Sequence, residues 1–137
     1  MEDKIMYQCC IFDLDGTIIN TLHSLKKTVN ETIKQFGYGP IDEYHVRYFV
    51  GDGYKKLVER TLVYCGDTEL THYEEALTVY DEMFKKYCLY QMEPYAGMPD
   101  FLKMLKEKGI RIIVCIDEFQ QLANLPEYKD MEGKMRS

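Results

Sequence analysis

Two carboxylates one residue apart, Asp13 and Asp15, are followed at once by Gly16 and the hydroxyl of Thr17. That set can carry out phosphoryl transfer. One carboxylate can attack phosphorus and form an aspartyl-phosphate, while the other protonates the leaving oxygen and later activates water. Two anions facing an anionic phosphate need a counter-charge, which Mg²⁺ bound by a carboxylate and the phosphate supplies. Calcium-binding loops and ordinary Asp-Gly turns share the DxDG pattern. This copy differs in the apolar run before it and Thr17 after it.

Those residues need an element that aims them. Met6-Tyr7-Gln8-Cys9-Cys10-Ile11-Phe12 is a short, mostly apolar, β-prone run that ends abruptly in Asp13. It reads as a buried strand running into a polar turn, where Gly16 permits a bend that a Cβ hinders. Open α/β sheets bind ligands at the carboxyl ends of their strands. A second strand is expected at Ile110–Ile116, a nearly continuous β-branched run of the kind found in parallel strands covered on both faces. Before it, Pro99 suits the first turn of a helix carrying Phe101, Leu102 and Leu105, with Gly109 as its stop.

Between the two strands the period changes to that of helices. Leu22, Leu25, Val29, Ile33 and Phe36 recur at steps of three and four and stop at Gly37. Asp42 is placed to cap a short helix bearing Val46, Phe49 and Val50. Tyr54, Leu57, Val58, Thr61 and Leu62 mark a third helix ending at Gly66. Leu70, Tyr73, Leu77, Tyr80, Phe84 and Tyr87 mark the longest, a stripe that reads as a packing face. The expected architecture is α/β, a partial Rossmann-like parallel core with an inserted four-helix cap. Residues 1–19 form the first strand and catalytic loop, 20–91 the cap, and 92–137 the return to the core, the second strand and a divergent tail.

Composition narrows the function classes. A 46% hydrophobic share supports a packed core, and 17 basic against 23 acidic residues give a net charge of −6. A net acidic chain without a basic cluster argues against nucleic acid and anionic membrane surfaces as partners. Cys9, Cys10, Cys65, Cys88 and Cys115 form no CxxC, and His23, His45 and His72 are not at metal-ligand spacing from them. Free thiols, no apolar run of membrane-spanning length and no signal-peptide pattern at Met1–Met6 lead to an expected cytoplasmic location. Arg47, Lys55 and Lys56 are cations beside the Gly51-Asp52-Gly53 turn; a solvated helix face is their ordinary reading, contact with an anionic substrate the functional one.

Cys10-Ile-Phe-Asp-Leu-Asp-Gly-Thr-Ile-Ile19 resembles the first motif of the haloacid dehalogenase superfamily of phosphohydrolases. Phe49-Val-Gly-Asp-Gly-Tyr-Lys-Lys-Leu57 resembles the VGxGxxxL turn in the helical cap of its phosphoglycolate-phosphatase-like members. The segment from Pro94 to Ile110 resembles their return to the core. The resemblance implies hydrolysis of a small phosphorylated metabolite, a phosphate monoester such as phosphoglycolate, with Mg²⁺ as cofactor. It implies Asp13 as nucleophile and metal ligand, and Asp15 as acid/base that binds the metal through its backbone carbonyl. Thr17 would orient the motif and, with Gly51, Gly53 and Lys55, contact substrate.

The pattern then departs from the family's. A Ser or Thr that holds the phosphate is expected after the second strand, where this chain has Cys115-Ile116-Asp117-Glu118-Phe119. For the phosphate-neutralising lysine only Lys129 and Lys134 remain. For the acidic pair that completes the metal site only Asp130 and Glu132 remain, without a strand pattern before them. The expectation is a family member truncated after the second core strand, with catalysis by the chain alone in doubt. The alternative is a non-catalytic remnant or binding module. Residues 117–125 are expected to form a short amphipathic helix over part of the sheet.

Overall fold

In the computed structural model residues 6–115 are described. They divide into two compact units, one from residues 6–21 and 92–115, the other from residues 22–91.

The first unit holds a parallel pair, β1 (Cys9–Asp13) and β4 (Arg111–Cys115), in the register Cys9↔Arg111 through Asp13↔Cys115. The ladder is closed at its ends by Arg111 N–H donating to the Gln8 carbonyl (3.0 Å) and Leu14 N–H to that of Cys115 (3.2 Å). Between them in sequence lies α5 (Met98–Glu107), with Pro99 in its first turn. Phe101 of α5 meets Phe12 edge to face, 6.2 Å between ring centroids, and Leu105 is buried. Helix α5 therefore covers the face of the pair that carries Phe12.

Strand alternation puts Ile11 and Ile113 on the opposite face, paired across the ladder. They are 69% and 48% exposed. The expectation of strands covered on both faces is thus not met among the described residues. A β-branched run shows that a strand can be buried twice, whereas the covering depends on elements elsewhere in the chain. Strand β1 also begins later than its apolar run, since Met6 and Tyr7 are exposed and outside the ladder. A second, two-residue ribbon joins β2 (Ile19–Asn20) to β3 (Glu93–Pro94) in antiparallel register and continues through Tyr95 N–H donating to the Ile18 carbonyl. It has no counterpart in the sequence reading.

The second unit contains α1 (Leu22–Lys34), α2 (Glu43–Phe49), α3 (Tyr54–Tyr64) and α4 (Tyr73–Tyr87). Val29, Ile33, Val46, Leu57, Val58, Leu62, Ala76, Tyr80 and Phe84 form one buried cluster drawn from all four helices. Tyr54, Tyr80 and Phe84 stack in series, at 5.5 and 6.1 Å. The long aromatic stripe is therefore a packing face, except that Leu70 sits before α4 with φ 54°.

Gly37, Gly66 and Gly109 end α1, α3 and α5 in the same way. Each donates three residues back while the following residue donates five back, as from Tyr38 to the Ile33 carbonyl, with the glycine in the left-handed region. Asp42 caps α2 by accepting from His45 N–H at 2.9 Å. Asn30 fixes the loop before it through two hydrogen bonds to the Ile41 backbone.

Asp67 holds the loop before α4, accepting from Thr71 N–H at 2.8 Å and His72 N–H at 2.9 Å. The His72 N–H first, and the Thr71 N–H after it, hold its carboxyl below the ordinary carboxylate range against the opposing effect of burial. A depressed folded-state pKa means stability that is present above the ordinary carboxylate range and lost as pH falls through the lower folded-state value. Urea unfolding from neutral to acid pH should therefore show a steeper acid loss for the parent than for Asp67→Asn. Parallel profiles would contradict this role.

Candidate active site

Asp13 is the last residue of β1 and is exposed at the carboxyl end of the parallel pair, in register with Cys115. Leu14, next along, is buried, and Asp15 follows in a bridge to Ile19. The turn is wound around the Leu14 carbonyl, which accepts from Ile18 and Ile19 N–H at 3.1 Å, with Thr17 N–H at 3.4 Å. Gly16 N–H donates to the Ile19 carbonyl at 2.9 Å. Gly16 makes this possible at φ 75°, a conformation that costs an L side chain about 1–2 kcal/mol. The buried Leu14 anchors the turn between Asp13 and Asp15. Thr17 is exposed at the same turn.

The structure thus brings Asp13, Asp15 and Thr17 together on one strand-to-turn segment. Gly51, Gly53 and Lys55 fall in the other unit, on the connection from α2 to α3 and the first turn of α3. Gly51 and Gly53 have φ 121° and 84°. Lys55 is exposed, whereas Lys56 is paired with Glu59 at 2.9 Å and Arg47 with Glu43 at 3.2 Å.

As a donor set, the Asp13 carboxylate and the Asp15 backbone carbonyl offer hard oxygens at a turn open to solvent. This suits Mg²⁺, which binds through one or two carboxylates and keeps waters or phosphate oxygens for the rest of its octahedron. Among the described residues there is no group of three or more His, Cys, Asp or Glu that could hold a metal ion. Lys129, Lys134, Asp130, Glu132 and the expected helix at 117–125 lie outside the described residues.

The family model for haloacid dehalogenase-like hydrolases matches residues 10–124. The chain belongs to this family. It is 29% identical over 129 residues to a phosphoglycolate phosphatase of Agrobacterium fabrum, covering 90% of this chain and 53% of that protein. The crystal structure of a predicted phosphoglycolate phosphatase from Haemophilus somnus superposes with a TM-score of 0.74 at 18% identity, over 90% of this chain and 59% of that one. CbbY from Rhodobacter sphaeroides, solved in complex with phosphate, superposes with a TM-score of 0.59 at 25% identity, over 81% of this chain and 51% of that one. The chain spans about half the length of the curated relatives it matches. The hydrolase family, and the expected α/β core with an inserted helical unit, are thereby established. No helix among the described residues is long and apolar enough to cross a membrane.

One feature escaped the sequence reading. Arg60 of α3 donates to the Phe49 carbonyl at 2.9 Å and pairs with the Asp52 carboxylate. Its partners lie eleven and eight residues back, outside the three- and four-residue spacing that flags helical pairs.

Proposed function

We propose that the fold serves a Mg²⁺-dependent phosphatase acting on a small phosphate monoester of the phosphoglycolate type. The observation that carries this reading is the position of Asp13-Leu14-Asp15 at the carboxyl end of a parallel strand in a haloacid dehalogenase-like fold. The names of the curated relatives support the substrate class, and the phosphate held by CbbY supports the ligand chemistry.

In this reading the Asp13 carboxylate attacks phosphorus, the bond to the leaving oxygen breaks, and an aspartyl-phosphate forms. Asp15 gives its proton to the leaving oxygen and then takes one from the water that releases phosphate. The Asp13 carboxylate and the Asp15 backbone carbonyl hold Mg²⁺, which when bound neutralises the phosphate facing two acids. Thr17 orients the turn. Gly51, Gly53 and Lys55 contribute substrate contacts from the helical unit, which we assign as the cap. The substrate is then a soluble metabolite, and the location cytoplasmic.

A second reading, a phosphate-binding module without turnover, is favoured by one observation. Cys115 occupies the end of β4 opposite Asp13, and the next four residues bear no hydroxyl. Calorimetric titration with inorganic phosphate and with phosphoglycolate, with and without Mg²⁺, tests what both readings share. Binding should require Mg²⁺ and weaken at least about tenfold in Asp13→Ala, the loss of one charged contact. Binding indifferent to Asp13 would contradict both.

A further inference from the structure

The connection from α2 to α3 contains two glycines in the left-handed region within three residues, so its backbone has little intrinsic preference for one shape. What restrains it is largely one side chain. The Arg60 guanidinium reaches from α3 to the Phe49 carbonyl at the end of α2 and to the Asp52 carboxylate in the middle of the turn. The fork thus ties the end of α2 and the middle of the connection to α3. Such a planar, two-acceptor grip cannot be reproduced by a single ammonium group.

The same contact sets the charge of the turn. Asp52 is otherwise exposed three residues before Lys55 and would repel an anion approaching there. With Asp52 matched by Arg60, Lys56 by Glu59 and Arg47 by Glu43, Lys55 is left as the cation beside the turn without an ion pair among the described residues.

We propose that Arg60 is a positioning residue: it fixes the Gly51–Gly53 turn and cancels the Asp52 charge, so that the turn and Lys55 can bind a carboxylate such as that of phosphoglycolate. This rests on the phosphatase reading above. The contact is partly exposed, and removing a pair of this kind leaves the fold intact.

The test uses the whole 137-residue chain in four forms: the parent, Arg60→Gln, Arg60→Lys, and Lys85→Gln as a control that breaks the Asp81 pair on α4. Amide hydrogen exchange at Val50 and Leu57, whose N–H groups donate to the Val46 and Gly53 carbonyls on either side of the turn, should accelerate in Arg60→Gln, with α1 and α4 unchanged. With Mg²⁺ present, phosphoglycolate affinity should fall about tenfold in Arg60→Gln, the loss expected for one charge-assisted contact, while inorganic phosphate affinity stays at the parent value. Arg60→Lys should lie closer to Arg60→Gln than to the parent, and Lys85→Gln should match the parent. Unchanged exchange, unchanged phosphoglycolate affinity, an equal fall for both ligands, or full rescue by lysine would each overturn the positioning role. A parent chain that binds neither ligand would overturn the phosphatase reading itself, and the proposal with it.

Discussion

The 137-residue chain by itself should hydrolyse phosphoglycolate and aryl phosphates at least about 10²–10³-fold more slowly than the phosphoglycolate phosphatases it resembles, the usual cost of lacking one preorganised electrostatic partner. Phosphoryl transfer leaves the protein little covalent work, so most of the rate comes from positioning and charge stabilisation. In the proposed reading Asp13 is the nucleophile and Asp15 the acid. By resemblance, a hydroxyl, a lysine and a further acidic pair should face them. At the end of β4 this chain instead presents Cys115 and then Ile116-Asp117-Glu118-Phe119. Such partners act as a unit, so lacking the hydroxyl alone leaves the phosphate poorly held. Steady-state assays with Mg²⁺, beside Asp13→Asn, measure this directly. Turnover near about 1 s⁻¹, within the ordinary enzyme range and abolished by Asp13→Asn, would mean that other residues or a second chain complete the site.

The second large effect concerns stability and separates the two units. Leu62 of α3 is fully buried among residues of all four helices. Leu62→Ala should cost about 2–5 kcal/mol, combining lost transfer energy with the cavity left behind. Ile113 is also an aliphatic residue in a regular element, yet it is half exposed, on a face of β4 that no described element covers. Ile113→Ala should cost less than about 1 kcal/mol, a surface change plus some loss of strand preference. The chain has twelve tyrosines and no tryptophan, so near-ultraviolet circular dichroism of tyrosine is the natural probe of urea unfolding. Equal costs for the two substitutions would show that the Ile11–Ile113 face is covered.

Much of this arrangement is legible in the residues. Helical stripes such as Tyr73, Leu77, Tyr80 and Phe84 repeat often enough to declare their period. Gly37, Gly66 and Gly109 mark stops because the left-handed turn that ends a helix favours glycine. Asp13 and Asp15 are visible because an apolar run ends on them. Other features depend on distant partners. Two-residue strands such as Ile19–Asn20 and Glu93–Pro94 are too short to display alternation, and their pairing joins segments on either side of the whole helical unit. The exposure of Ile113 depends on what lies over it, which the β-branched run does not encode. Arg60 reads as one more surface charge until the backbone brings Phe49 and Asp52 within its reach.

The most direct test of the central claim, that Asp13 is the phosphoryl-accepting carboxylate of this fold, is fluorine NMR of the chain with beryllium fluoride, a mimic of a phosphoryl group on a carboxylate oxygen. A bound fluorine signal that requires Mg²⁺ and disappears in Asp13→Asn is the expected result. No bound signal from the parent chain, or one that survives in Asp13→Asn, would contradict the assignment.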